Sequence, residues 1–188
     1  MTEQATALNL PPLDPLPEDI AAYFGKCQDK LGMIPNVLLA YAFDAEKLRA
    51  FSAMYNDLML APSGLSKAER EMIAVAVSAQ NACVYCLTAH GAALRQLTGD
   101  PALAETIAQN WRVAPLPARQ RTMLGFAVKL TNDPAEMGED DRAALRAAGL
   151  TDRDIWDIAA VAAFYNMSNR LAAAVEMRPN PEYHGMAR

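Results

Sequence analysis

Residues 65–90 read LSKAEREMIAVAVSAQNACVYCLTAH, and this stretch decides the fold. Ser66-Lys67-Ala68-Glu69 is a capping box, the start signal of a helix. From Met72 to Val77 every side chain is apolar, which fits a helix buried on all sides. Gln80-Asn81 interrupts it. Asn81 is a good N-cap, so the next helix is expected to hold Cys83 and Val84 in its first turn. In that helix Cys83, Cys86 and His90 stand at i, i+3 and i+7, on one face.

Outward from this pair the chain reads as helices with almost no strand signal. Residues 1–17 hold Pro11, Pro12, Pro15 and Pro17 and show no helical period, so they read as an extended arm laid on the surface or on a neighbouring subunit. Residues 18–188 form one helical domain. Its first helix starts near Glu18 and ends at Gly32, and Asn36 is placed to cap a short helix from Val37 to Ala42. Asp44 caps a longer helix whose apolar positions Leu48, Phe51, Met54, Tyr55 and Leu58 recur at helical spacing. The dithiol helix stops at Gly99. Further helices open at Asp100-Pro101, at Pro117, near residue 139 and at Thr151.

A faint repeat joins the two ends of this series. At an offset of 85, five of 27 positions are identical, including Leu65/Leu150, Ile73/Ile158 and Asn81/Asn166. The second copy has Ser168 and Leu171 where the first has cysteines, so one copy alone can be redox-active.

Composition narrows the function. Apolar residues make up 52% of the 188 and aromatics 7%; Ala, Leu and Met dominate, which favours helix over sheet. The net charge of −5, with no basic cluster, argues against a nucleic-acid partner. The N-terminus lacks a basic region followed by an apolar run, and Ile73 to Ala89 is too short and too polar for a membrane span. The cytoplasm is the expected compartment, with no membrane partner. In a reducing compartment a C-x-x-C points to catalysis or metal binding before a structural staple.

A nucleophilic cysteine must be a thiolate. The helix N-terminus after Asn81 supplies partial positive charge, and His90, one turn from Cys86, can take a proton or stabilise the thiolate. Glu71, where its helix turns wholly apolar, is either a solvated end charge or a buried proton acceptor. Glu69 and Arg70 read as ordinary first-turn surface charges, Cys27 as a half-buried spectator, and Trp111 and Trp156 as packing residues. The plainer alternative for the dithiol is two small core cysteines beside a core histidine. A zinc site is a further alternative, weakened because no second ligand pair stands at metal-binding spacing.

Glu71, Cys83-x-x-Cys86 and His90, on two successive helices, resemble the AhpD-like alkylhydroperoxidase family, within the wider carboxymuconolactone decarboxylase group. Gly32-Met33-Ile34-Pro35-Asn36, Leu65-Ser66-x-x-Glu69-Arg70-Glu71 and Asn166-Met167-x-Asn169-Arg170 resemble its peroxidase-related branch. The likeness spans about residues 30–175.

The resemblance implies an all-α bundle, homo-oligomers such as trimers or hexamers, and reduction of organic hydroperoxides through a cysteine pair; no cofactor or metal is expected. By position Cys86 is implied as the peroxidatic thiol, Cys83 as the resolving thiol, and Glu71 and His90 as the proton relay. An external dithiol would regenerate the pair. A non-peroxidatic thiol–disulfide oxidoreductase and a zinc-binding or structural oligomer are the alternatives carried forward. One departure stands out: well-studied members carry a second relay histidine just before the second cysteine, and here that residue is Tyr85.

Overall fold

The computed structural model describes residues 4–188. Among them lie ten α-helices, two short 3-10 turns and no strand. The helices are α1 (Glu18–Leu31), α2 (Asn36–Tyr41), α3 (Ala45–Leu60), α4 (Lys67–Gln80), α5 (Val84–Thr98), α6 (Pro101–Asn110), α7 (Ala118–Asn132), α8 (Glu139–Ala147), α9 (Asp152–Ala174) and α10 (Glu182–Gly185). None is long and apolar enough to cross a membrane.

α4 is the axis. It packs against α5, α6, α7 and α9. Ile73 through Val77 are wholly removed from solvent, as their unbroken apolar run requires. Ser66 and Glu69 form the expected capping box. The repeat is visible in three dimensions. α9 opens with its own box, Thr151 with Asp154, and Ile158 is buried like Ile73. The repeat-related asparagines meet: the Asn81 side-chain amide donates to Asn166 Oδ1 at 3.1 Å. Gly64, just before the first box, lies so close to the second that a Cβ there would sit 1.9 Å from Asp154 Oδ1.

Four sequence expectations need correction. Asn36 is the first residue of α2 rather than its cap; its amide donates to Arg178 O at 2.8 Å, and its N–H donates to Asn180 Oδ1 at 2.7 Å. Glu69 and Arg70 are buried. Glu69 is held by its capping role and by Arg119, and Arg70 donates to the carbonyls of Leu58 and Ala61. Long-range partners, invisible in local sequence, make burial of these charges affordable. Trp156 is 72% exposed and does not pack within this chain, unlike Trp111. The fourth correction concerns Asn81, at the site.

Residues 4–17 run without helix or strand over their own chain. Ala7 N–H donates to Val175 O, Arg178 N–H to Ala5 O, and Leu13 N–H to Ala42 O. Residues 1–3 of the arm expected over 1–17 lie outside the described residues. The C-terminal segment folds back over α5: Arg95 donates to Tyr183 O at 2.8 Å and to Met186 O at 3.0 Å.

Candidate active site

The dithiol lies at the joint between α4 and α5. Asn81 closes α4 instead of opening α5. Ala82 follows with φ +50°, a left-handed conformation costly for a residue with a Cβ, and the chain turns there. Cys83 is the N-cap of α5: its carbonyl accepts the Leu87 N–H at 2.9 Å, and its own N–H donates to Ser78 O at 3.0 Å. With the cap shifted two residues, Cys86 rather than Val84 occupies the first turn's inner face. Cys86 and His90 remain one helical turn apart.

The two thiols are free, buried and hydrogen-bonded to each other. Cys83 is 3% exposed and Cys86 1%. The Cys86 S–H donates to the Cys83 sulfur, and this above all lowers the Cys83 pKa to about 6. Burial opposes the shift, while the Cys86 backbone N–H, the charge of His90 and the Asn169 amide add to it. Cys86 is pushed far the other way, first because it keeps its proton to donate it in a hydrogen bond to the Cys83 sulfur, then by burial and by the Cys83 charge. The pair therefore shares one proton, and its titration belongs to both sulfurs.

Glu71, one of the two readings left open above, is the buried acceptor. Its Oε2 lies 2.7 Å from His90 Nδ1. An ionised carboxylate only accepts, so the proton is assigned to Nδ1 and Nε2 is left as the basic nitrogen. The Tyr165 hydroxyl lies 3.3 Å from the same Nδ1, and its ring meets the imidazole edge-on. Burial holds the Tyr165 phenol well above its ordinary pKa, so the hydroxyl keeps its own proton.

α9 supplies residues that sequence reasoning did not select. Asn169, 1% exposed, accepts from the Asn81 amide at 2.9 Å and donates to Ser78 Oγ at 3.0 Å. It also donates to both sulfurs, and Ser168 donates to Cys86. A signal for them existed: the offset of 85 makes Ser168 the counterpart of Cys83, and Asn169 lies in the motif that carried the family likeness.

Tyr85 does not substitute for a relay histidine. Its phenol is buried, its pKa is raised by desolvation, and its oxygen accepts the Val37 N–H at 3.0 Å. It also bonds Tyr183. It ties the first turn of α5 to α2 and to the C-terminal segment.

Cys86 and His90, but not Cys83, border a largely apolar cavity of about 500 Å³. Cys27, expected to be a spectator, lines the same cavity; burial raises its pKa and Lys30 partly offsets this. Its distance in sequence hid this placement. Among the described residues no group of three or more His, Cys, Asp or Glu side chains converges to hold a metal ion.

The carboxymuconolactone decarboxylase family profile matches residues 45–110. An uncharacterized peroxidase-related protein from Silicibacter is 63% identical; the alignment covers 99% of this chain and 97% of that one, with a TM-score of 0.96. A second, from Ralstonia eutropha and described as an alkylhydroperoxidase AhpD core, is 46% identical over 100% of this chain and 98% of that one, with a TM-score of 0.95. The chain belongs to the AhpD-like carboxymuconolactone decarboxylase family. The AhpD-like fold extends further: the debrominase Bmp8 is 17% identical, with a TM-score of 0.77 over 97% of this chain and 95% of that one. Among curated protein sequences none matches.

Proposed function

We propose that this AhpD-like protein is a thiol-dependent peroxidase that reduces organic hydroperoxides. The observation that carries the reading is the proton-sharing Cys83–Cys86 pair, with Cys86 facing the cavity beside the Glu71–His90 couple. Charge and access are divided: Cys83 holds the resting negative charge, while a molecule in the cavity meets Cys86. Moving the shared proton onto Cys83 makes Cys86 the thiolate where the substrate is.

Cys86 sulfur then attacks one peroxide oxygen. An S–O bond forms, the O–O bond breaks, and an alkoxide leaves with the electron pair. Protonated His90, its charge balanced by Glu71, gives the alkoxide a proton. His90, neutral once it has protonated the alkoxide, takes the proton that Cys83 received, and Cys83 as thiolate attacks the sulfenic sulfur of Cys86. The S–S bond forms, the S–O bond breaks, and the leaving hydroxide takes that proton from His90 and becomes water. Cysteines at i and i+3 lie within the Cα separation that a disulfide requires. An external dithiol restores both thiols.

The burial of both sulfurs disfavours the alternative reading, exchange with protein disulfides, because an attacked protein disulfide must reach the sulfur in line. The chemistry suits a reducing compartment such as the cytoplasm. A homo-oligomer is part of the same proposal, supported by the exposed Trp156, Val84 and Met167.

Dithiothreitol-dependent consumption of cumene hydroperoxide tests the reading. Wild type should turn over and Cys86→Ser should not. Equal rates in the two proteins would overturn it.

A further inference from the structure

The cavity carries its own substrate signature. Its interior is aromatic and aliphatic, with Phe51, Tyr55 and Phe164 among its walls. Its charged lining, apart from His90, is of one sign: Lys26, Lys30 and Lys67, with no Asp or Glu among the lining residues. All three lysines are exposed, and none makes a salt bridge among the described residues. Two come from a single stripe. Tyr23, Lys26, Cys27 and Lys30 are spaced i, i+3, i+4 and i+7, so α1 turns one face to the cavity and mixes apolar wall with cationic rim. This arrangement stands out in a chain with a net charge of −5.

Water and a small neutral peroxide need neither the rim nor the volume. About 500 Å³ falls within the roughly 300–1,000 Å³ typical of small-molecule sites. Long lysine side chains can lay their methylenes along an apolar wall and keep their ammonium groups wet. Unpaired cations above a low-dielectric cavity focus an attractive field on anions. Resting on the peroxidase reading, we propose that the substrate is an amphipathic organic hydroperoxide: an aryl or acyl body in the cavity, the peroxide at Cys86 and His90, and a carboxylate on Lys26 and Lys30. Lys67, at the first position of α4, adds to the same rim.

The probes are cumene hydroperoxide carrying a para-carboxylate, and its methyl ester. In wild type the carboxylate should be favoured at least fivefold in kcat/KM at low salt. That preference should shrink as ionic strength rises. In Lys26→Gln/Lys30→Gln the acid-to-ester ratio should fall toward one. In Lys47→Gln, on a lysine that does not line the cavity, the wild-type ratio should persist. A ratio near one in wild type, or one unchanged in the double variant, overturns the proposal.

Failure of the underlying peroxidase reading is separable. The corresponding alcohols, para-carboxylate and methyl ester, cannot react, and their binding is measured by calorimetry. Selective binding of the carboxylate, lost in the double variant, upholds the anion site even if neither hydroperoxide is consumed. Equal binding of acid and ester overturns it whatever the turnover.

Discussion

Glu71 Oε2 and His90 Nδ1 are 2.7 Å apart, a buried couple bridging α4 and α5. The carboxylate selects which imidazole nitrogen carries the proton. An amide at residue 71 can donate as well as accept, and so can hold the opposite tautomer. Glu71→Gln should keep the fold and slow turnover at least tenfold, about 1.4 kcal/mol of barrier. Thiol alkylation rate against pH in both proteins checks this without a substrate. Superimposable profiles would remove Glu71 from the relay.

The dithiol should lose its first proton near pH 6, seen as thiolate absorbance at 240 nm, because Cys83 is lowered to about 6. The depressed group contributes stability that is complete above the unfolded thiol value, about 8.5. That contribution is lost as pH falls through about 6. Cys86, raised, contributes in the opposite sense: its share is complete below about 8.5 and lost at more alkaline pH. Relative to Cys83→Ser, wild type should gain stability between pH 6 and 8.5 in urea titrations and gain nothing further above. A flat difference across that window would contradict the shared proton.

Asn169→Ala removes donors to both sulfurs and to Ser78, and an acceptor for Asn81. Buried partners left unsatisfied cost about 1–3 kcal/mol each before relaxation. The variant should be less stable by more than 1 kcal/mol, and its 240 nm titration should move to higher pH. An unchanged titration would make Asn169 purely structural.

Gly64→Ala should be destabilising because its Cβ would meet Asp154 Oδ1 at 1.9 Å. Overpacking of this kind costs about 1–3 kcal/mol. In an Asp154→Ala background the same change should cost measurably less. Additive losses in a double-mutant cycle would show that the two sites do not press on each other.

Trp156→Glu should lower the solution mass toward 20.4 kDa by light scattering, if the exposed indole is covered by another copy. A wild-type mass already at the monomer value would remove the oligomer from the proposal.

The helices were legible wherever local chemistry marks them. Ser66-x-x-Glu69, Asp44, Gly99 and Asp100-Pro101 sit at element ends as their side chains dictate. Local sequence places the joint between α4 and α5 two residues early. Asparagine is a good N-cap, but here the side chain of Asn81 is spent on Asn166 and Asn169, partners 85 and 88 residues away. The same limit hid the α9 half of the site. Cys83, Cys86, His90 and Glu71 announce themselves by type and spacing; Tyr165, Ser168 and Asn169 are ordinary residues made special by what faces them. Burial of Glu71 was undecidable from sequence because its decisive partner lies on another helix.

Tyr85 gives the C-terminal segment a stake in events at the dithiol. Its phenol touches Val37 N–H on one side and Tyr183 on the other, while Asn180 clasps Asn36 and Ile34. The residue lying between Cys83 and Cys86 is thus a strut, braced against a tail that the proposed chemistry does not use. Cutting that tail before Asn180 would unbrace it and admit water where Tyr183 and Met186 now wall the cavity. Proteolytic clipping far along the chain would then register as damage to the reactive centre. Bound substrate, by filling the cavity against those same side chains, would protect the tail from the protease.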